Sequence, residues 1–563
     1  MKMRFMRWLA VLVISALIVP GLDARQPVYA RKAMVVAQED LAAEVGVSVL
    51  RSGGNAVDAA VAVGFALAVT HPFAGNIGGG GFMLIRMADG RTTFIDFREK
   101  APSAATRDMY LNASGVPTTD SVVGWRAAGV PGTVRGFELA NKKYGSKPWA
   151  ELVKPAITLA ASGFPVSKWQ MDSWQRSSPL LSHFPESKRI FLKGGAYYDW
   201  QETFKQPELA RTLERVASLG AADFYDGETA HILANEMAKN GGLITLADLH
   251  NYQAVEHTPL EGDYKGYRII TSPPPSSGGV GLLQMLAMLN GTGYEKFGAG
   301  SAESYHYIAE VMRRYFADRS KYLGDPDFVN NSISSLLAPA YIQSRRATID
   351  LDHATPGDRI SPGLAAANEG SDTTHYSIVD EQGNAVAVTY TLNNGYGSGV
   401  TVPGAGFLLN DEMDDFAAKP GGPNMFGLVQ GERNSIAAGK RPLSSMTPTI
   451  ILKDRKPFLV LGAPGGPMII TAVLQVILNV IDFRMNVQDA IDFPRIHDQW
   501  KPDRLDTEST VFPDAVAQLQ RMGYSTHTAD PGQQARVEAI LIGDGWLQGG
   551  HDGRGSGGKA AGY

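Results

Sequence analysis

The chain has 563 residues and no cysteine, which excludes disulfides, thiolate metal sites, iron–sulfur clusters and a cysteine nucleophile. Lys+Arg is 52 against 57 Asp+Glu, a formal charge of −5. No dense basic run follows the N-terminus, so the composition argues against a nucleic-acid partner. Hydrophobic residues are 44% and charged residues 19%, the balance of a folded globular protein.

Lys2, Arg4 and Arg7 precede an apolar run from Trp8 to Val19, and small residues follow, with Ala24 and Ala30 as candidate cleavage positions. Residues 1–30 therefore read as a secretory signal. The run is shorter than the roughly 20 residues that span a bilayer, and no later segment approaches a span. The expected product is exported, periplasmic or secreted, with no membrane span after signal removal. Glu39–Arg51 reads as a helix stopped by Gly53-Gly54, and Asn55–Thr70 as a buried apolar helix ended by His71-Pro72. A glycine loop, Gly75 to Gly81, comes next. Phe82–Met87 and Thr92–Asp96 flank Ala88-Asp89-Gly90 as a hairpin.

Residues 137–350 read as mostly helical, with amphipathic periods over Glu208–Leu219, Thr229–Lys239 and Ala302–Tyr322. Pro273 to Gly279 reads as a rigid structural turn. Three further hairpins are expected: Thr374–Asp380 with Ala385–Thr391, Thr447–Lys453 with Phe458–Gly462, and Ala535–Ile542 with Trp546-Leu547. An apolar helix covers Met468 to Val480. Hairpins separated by buried helices imply layered sheets covered by helices.

Dinucleotide, P-loop and zinc-protease motifs are absent, Gly395 to Gly399 is a lone glycine cluster, and His497-Asp498 reads as a structural pair. No metal and no nucleotide cofactor is expected. The polar stretch Ala365–Asp372 runs into a strand through Thr373. A threonine hydroxyl becomes an effective nucleophile when it is N-terminal, because its own α-amine then serves as base. That amine has a reference pKa of about 7.7–8.0, so no distant histidine is needed. Gly465 and Gly466, between a strand and the 468–480 helix, can aim backbone N–H groups into a pocket as an oxyanion hole requires, whereas Pro467 cannot.

With Thr373-Thr-His-Tyr-Ser377 and Pro464-Gly-Gly466, further blocks recur in one order: Gly53–Ala60, Gly75–Gly81, Asp96–Pro102, Gly129–Thr133, Pro273–Gly279, Pro442–Met446 and the terminal Ala561-Gly-Tyr563. On these the chain resembles the bacterial γ-glutamyltranspeptidases, a family of N-terminal-nucleophile hydrolases. The resemblance implies an α+β fold, a four-layer αββα sandwich with a largely helical region in the large subunit. It also implies autocleavage between Asp372 and Thr373, giving a large subunit of 31–372 and a small subunit of 373–563 that stay together as a heterodimer.

The same resemblance assigns residues. Thr373 is the nucleophile and Thr391 orients it, while Gly465 and Gly466 form the oxyanion hole. Arg98, with Ser444 and Ser445, is expected to hold the substrate α-carboxylate; Glu412 and Asp415 are expected to hold the α-ammonium, and Asn393 is a further substrate-binding residue. The implied donors are glutathione and other γ-glutamyl compounds, and the acceptors are water, amino acids or dipeptides. Two departures stand out: Glu412 replaces a frequent Gln, and Phe426 stands where the lid loop often has Tyr. Two other readings remain open: a glutaryl or β-lactam side-chain acylase of the same fold, and an uncleaved periplasmic binding protein.

Overall fold

A computed structural model describes residues 25–361, 372–419, 431–529, 534–555 and 557–563. The hydrophobic N-terminal run, the stretch 362–371 and the loop carrying Phe426 lie outside the described residues.

Two seven-stranded sheets make the inner layers. The strands, in chain order, are β1 (Val28–Ala30), β2 (Met34–Ala37), β3 (Gly80–Arg86), β4 (Thr92–Asp96), β5 (Val255–His257), β6 (Leu260–Tyr264) and β7 (Tyr267–Thr271). They continue with β8 (Asp372–Val379), β9 (Ala385–Asn393), β10 (Thr449–Lys453), β11 (Lys456–Gly462), β12 (Glu538–Gly543), β13 (Trp546–His551) and β14 (Lys559–Gly562). The first sheet has the order β14-β2-β8-β9-β3-β4-β5, and the second β1-β13-β12-β11-β10-β7-β6. They stack face to face, with β8 against β11 and β12 and β9 against β10 and β11.

Period-two alternation decides which side chains meet which layer. On β3, Met83 and Ile85 join the cluster under the helices, while Phe82 and Leu84 join the core between the sheets. On β9, Val386, Val388, Tyr390 and Leu392 face the helices. The odd-numbered Thr389 and Thr391 fall on the inter-sheet side by the same rule, as do Thr373, His375 and Ser377 on β8. A polar seam therefore runs between otherwise apolar sheets. The sheets approach closely there: a Cβ on Gly462 would lie 2.3 Å from the His375 ring.

Helix α1 (Asp40–Arg51) and α2 (Ala56–Thr70) cover the first sheet. Every residue of α2 is buried, because a further helical layer packs on its outer side. Its start is fixed by a capping box: the Asn55 side chain accepts from Val57 N and Asp58 N at 2.9 and 3.0 Å, and Asp58 accepts from Asn55 N at 2.9 Å. Helices α3 (Gly278–Leu289) and α5 (Met468–Ile481) cover the second sheet, and α4 (Ala302–Tyr322) packs on α3. The result is a helix–sheet–sheet–helix sandwich, and the bounds of α4 coincide with the sequence expectation.

The region 137–350 is mostly helical as read, and it also contains the short strands β5, β6 and β7. β5 and β6 are the outermost strands of their sheets. Leu260–Tyr264 is short and largely solvent-facing, so it carries little of the apolar alternation that marks a strand. His497-Asp498 is structural as read: His497 bonds Thr471 at 2.9 Å, and Asp498 pairs with Arg313 at 2.7 Å.

Candidate active site

One end of the sandwich gathers the expected site residues. β8 begins there, β9 ends there, and β4 ends two residues before Arg98. In the second sheet, β11 leaves the same end through Gly465-Gly466, and β10 enters it shortly after Ser444-Ser445.

Thr373 is buried, with 5% exposure, at an irregularity between Asp372 and Thr374 in the β8–β9 pairing. Its hydroxyl donates to Thr391 Oγ1 at 3.4 Å, and that oxygen accepts from Asn393 N at 2.8 Å. Asn393 has φ of 79°, and its side chain donates to the Asp411 carbonyl at 3.1 Å. This contact ties β9, the strand of Thr391, to the acidic turn that follows. Behind Thr391 stands Asn76 of the glycine loop. Its Nδ2 donates to the Thr391 carbonyl at 2.8 Å, and its Oδ1 accepts from Gly79 N at 3.0 Å and Thr133 Oγ1 at 2.7 Å. The glycines let that loop lie flush on β9: a Cβ on Gly79 would fall 2.1 Å from the Thr391 carbonyl.

His375 is no base for Thr373. Its ring nitrogens meet Thr389 Oγ1 at 2.8 Å and Ser377 Oγ at 3.1 Å, and burial holds its pKa down at about 3. It is a neutral wedge between the sheets.

Arg98 is 1% exposed. Its Nη1 bonds Glu412 Oε1 at 2.5 Å, its Nη2 bonds Asp415 Oδ2, and its Nε donates to the Pro442 carbonyl at 3.2 Å. Glu99 lies 3.6 Å from the same guanidinium. The backbone here is held as firmly: Tyr252 OH donates to the Arg98 carbonyl at 2.8 Å, and Asp96 accepts from Arg98 N at 2.8 Å. Three buried carboxyls thus share one guanidinium. Burial pushes Glu412 well above the usual carboxylate range despite Arg98, and pushes Glu99 up to about 7. The cluster offers a cation for a carboxylate and surplus acid for an ammonium.

The Pro273–Ser277 turn, read as purely structural, cradles the serine pair. Ser444 N donates to the Pro275 carbonyl at 2.8 Å, and the Ser444 carbonyl accepts from Ser277 N and Ser277 Oγ, both at 2.7 Å. Ser445 Oγ is buried with no hydrogen-bond partner among the described residues. Gly465 and Gly466 have φ of 129° and 55°, left-handed conformations that favour glycine. Their carbonyls accept from Met468 N at 3.1 Å and Ile469 N at 3.0 Å, which seats the turn on the start of α5.

Thr373, Thr391 and Asn393 therefore meet in one group, and Arg98, Glu412 and Asp415 in a second, joined through Asp411. Sequence reasoning passed over Asn76 and Glu99. Both sit inside quoted blocks, but only the fold shows that Asn76 bears on Thr391 and that Glu99 faces the guanidinium.

The family model described as gamma-glutamyltranspeptidase matches residues 42–562. The chain belongs to the γ-glutamyltranspeptidase family. The glutathione hydrolase proenzyme of Escherichia coli (strain K12) is 48% identical over 544 residues, covering 96% of this chain and 93% of that protein. The proenzyme of the same name from Pseudomonas sp. (strain A14) is 49% identical over 523 residues, covering 92% and 90%. Among solved structures, a cephalosporin acylase from Bacillus halodurans superposes with a TM-score of 0.86 at 28% identity, over 98% of this chain and 99% of that one. The layered α+β fold is thus shared with acylases as well as with glutathione hydrolases.

Proposed function

We propose that this chain is the precursor of a γ-glutamyltransferase and glutathione hydrolase that uses Thr373 twice. In the precursor the Thr373 hydroxyl attacks the Asp372 carbonyl carbon and the peptide C–N bond breaks. Water then hydrolyses the resulting ester, leaving a carboxylate on Asp372 and a free α-amine on Thr373. The large chain that ends at Asp372 and the small chain 373–563 remain paired, because β8 is flanked by β2 of the large chain on one side and by β9 on the other. Among the described residues no helix is long and apolar enough to cross a membrane. We place signal cleavage near Ala24 rather than Ala30, since Val28–Ala30 pairs with β13.

In the mature enzyme the α-amine takes the Thr373 hydroxyl proton as Oγ attacks the γ-amide carbon. Gly465 and Gly466 N–H groups stabilise the oxyanion, and the departing amine carries the proton away. Water or an incoming amine then attacks the ester, giving hydrolysis or transfer. Arg98 grips the α-carboxylate with Ser444 and Ser445, while Glu412, Asp415 and Asn393 take the α-ammonium. The observation that carries this reading is the acid surplus around Arg98, beside the Thr373–Thr391 pair. A zwitterionic head group needs both charges there.

The acylase reading has one specific observation behind it, the superposition on a cephalosporin acylase. A glutaryl group has no α-ammonium and gains nothing from buried Asp415 and Glu412. Asp415→Asn separates the two. We expect kcat/KM on γ-glutamyl-p-nitroanilide to fall about 100-fold, mainly through KM, as loss of a charged hydrogen bond implies. Unchanged γ-glutamyl kinetics, together with turnover of a glutaryl anilide, would move the assignment to the acylases.

A further inference from the structure

Asp411 joins the two groups of site residues. In the first, the Thr373 hydroxyl donates to Thr391 Oγ1, which accepts from Asn393 N at 2.8 Å. In the second, Arg98 is bonded to Glu412 and Asp415, which share the short helical turn Glu412–Asp415. Asp411 stands immediately before that turn and meets residues 392–394 at four points. Its N donates to the Leu392 carbonyl at 2.9 Å. Its carbonyl accepts from Asn393 Nδ2 at 3.1 Å. Its Oδ1 accepts from Asn394 N at 2.9 Å, and its Oδ2 accepts from Asn394 Nδ2.

The end of β9 needs such support. Asn393 has φ of 79°, a left-handed conformation uncommon outside glycine, and residues of that kind persist where their surroundings over-determine them. Both side-chain oxygens of Asp411 are engaged by Asn394, so its carboxyl acts on the chain it holds. Asp411 is fully buried, and burial pushes its carboxyl well above the usual carboxylate range. Shape and hydrogen bonding, rather than charge, are what it supplies. The acidic turn is anchored on its other side by Asn410. Asn410 Oδ1 accepts from Glu412 N at 3.0 Å and Gly129 N at 2.8 Å, and its Nδ2 donates to the Gly78 and Gly129 carbonyls, both at 2.8 Å. Held by Asn410 on one side and tied to β9 by Asp411 on the other, the turn keeps Arg98 and its acids at a set distance from Thr373.

We propose that Asp411 is a positioning residue that sets the spacing between the Thr373 hydroxyl and the Arg98 head-group site, and so selects a γ-carbonyl over one a single methylene nearer to the α-carbon. This rests on the γ-glutamyl reading and deepens it. A γ-glutamyl group has three carbon–carbon bonds between its α-carbon and its scissile carbonyl carbon; a β-aspartyl group has two. With the head group held, the missing bond moves the carbonyl by about 1 Å, and a misplacement of that size costs up to about 100-fold in rate. The selection is as sharp as the spacing is rigid.

The test compares γ-glutamyl-p-nitroanilide with β-aspartyl-p-nitroanilide in the mature wild-type enzyme, Asp411→Ala and Asp411→Asn. The readout is the ratio of kcat/KM for the two substrates, with kcat and KM on the γ-glutamyl anilide resolved separately and rates taken per small chain beginning at Thr373. Damage to the fold lowers both substrates and leaves the ratio alone. The wild-type ratio is expected at about 100. Asp411→Ala keeps the head-group side chains but frees the spacing. The ratio should fall about tenfold, through a lower kcat on the γ-glutamyl anilide with KM within about threefold of wild type. Asp411→Asn can remake both bonds once the Asn394 amide turns over, so it should restore most of the wild-type ratio. If Asp411→Ala does not mature, Asn394→Ala takes its place: it keeps the bond from the residue 394 N–H, removes the one from Nδ2, and should lower the ratio about threefold. A ratio that stays at the wild-type value in the alanine variant, or an Asp411→Asn ratio as low as that of Asp411→Ala, overturns the proposal and leaves the γ-glutamyl reading standing. A wild-type ratio near one does the same. Wild-type enzyme that does not turn over the γ-glutamyl anilide overturns both.

Discussion

Two buried arginine clusters in this molecule differ in how completely their charges are met. Around α4, Arg313 bonds Asp498 at 2.7 Å, the Thr355 carbonyl at 2.6 Å and Asp503 at 3.1 Å. Its neighbour Arg314 bonds Glu310 at 2.6 Å and Thr348 Oγ1 at 2.8 Å. Glu310 also accepts from Thr355 N at 3.0 Å, Thr355 Oγ1 at 2.6 Å and Tyr524 OH at 3.1 Å. Both oxygens of Glu310 are used, and the network ties the 348–357 segment to α4. Around Arg98, by contrast, both Glu99 oxygens, Glu412 Oε2 and Ser445 Oγ have no hydrogen-bond partner among the described residues. Native proteins rarely leave buried polar atoms unmet, and an unmet set next to a nucleophile marks where a ligand completes the network. The first cluster holds structure together; the second has polar atoms to spare for the zwitterionic head group of the proposed substrate.

Breaking each cluster should give opposite signatures. The largest effect on stability is expected from Arg313→Met, which strands Asp498 as an unpaired buried acid. Chemical denaturation should show a loss of about 3–5 kcal/mol, with turnover per folded molecule unchanged. Arg98→Lys keeps a charge but loses the fork. It should cut kcat/KM on γ-glutamyl-p-nitroanilide by about 100-fold, or about 2.7 kcal/mol, while costing less stability than Arg313→Met. If Arg98→Lys instead unfolds the protein and spares turnover, the contrast between the clusters is wrong.

Glu99 sharpens the comparison through pH. Its pKa rises from 4.5 to about 7 in the fold, mainly through burial. Between those values the folded chain keeps a proton that the unfolded chain has released, so stability of the ligand-free protein falls as pH rises through that window. Thermal denaturation from pH 4.5 to pH 8 should show this slope, and Glu99→Gln should flatten it. The smallest effect belongs to Ser445→Ala: about 1 kcal/mol, or a fivefold loss in kcat/KM carried by KM, with stability little changed because no protein hydrogen bond is removed.

Much of this was legible in the residues. The hairpins, the span of α4 and the pairing of Thr373 with Thr391 follow from alternation, periodicity and the family blocks. The β6–β7 hairpin was not, because β6 is an outermost strand with a polar outer face. The two-residue turn at Lys265-Gly266, with φ of 47° and 85°, was its one readable mark. The use of Pro273–Ser277 as the cradle of Ser444 was hidden for a different reason. A turn's sequence states its shape, but its partner stands about 170 residues away and only the stacking of β7 beside β10 brings them together. Asn76 and Glu99 were likewise visible as motif members and silent about what they touch. Phe426 lies outside the described residues, so the lid expectation stays with the sequence.

The central claim is that Thr373 is the nucleophile of both the precursor and the mature enzyme. Intact mass and N-terminal sequencing of the purified protein, beside Thr373→Ala, test it most directly. The account predicts two wild-type chains, the smaller beginning at Thr373, and a single uncut chain for the variant. A wild-type chain that stays whole after prolonged incubation, or a variant that cleaves at the same bond, would contradict it.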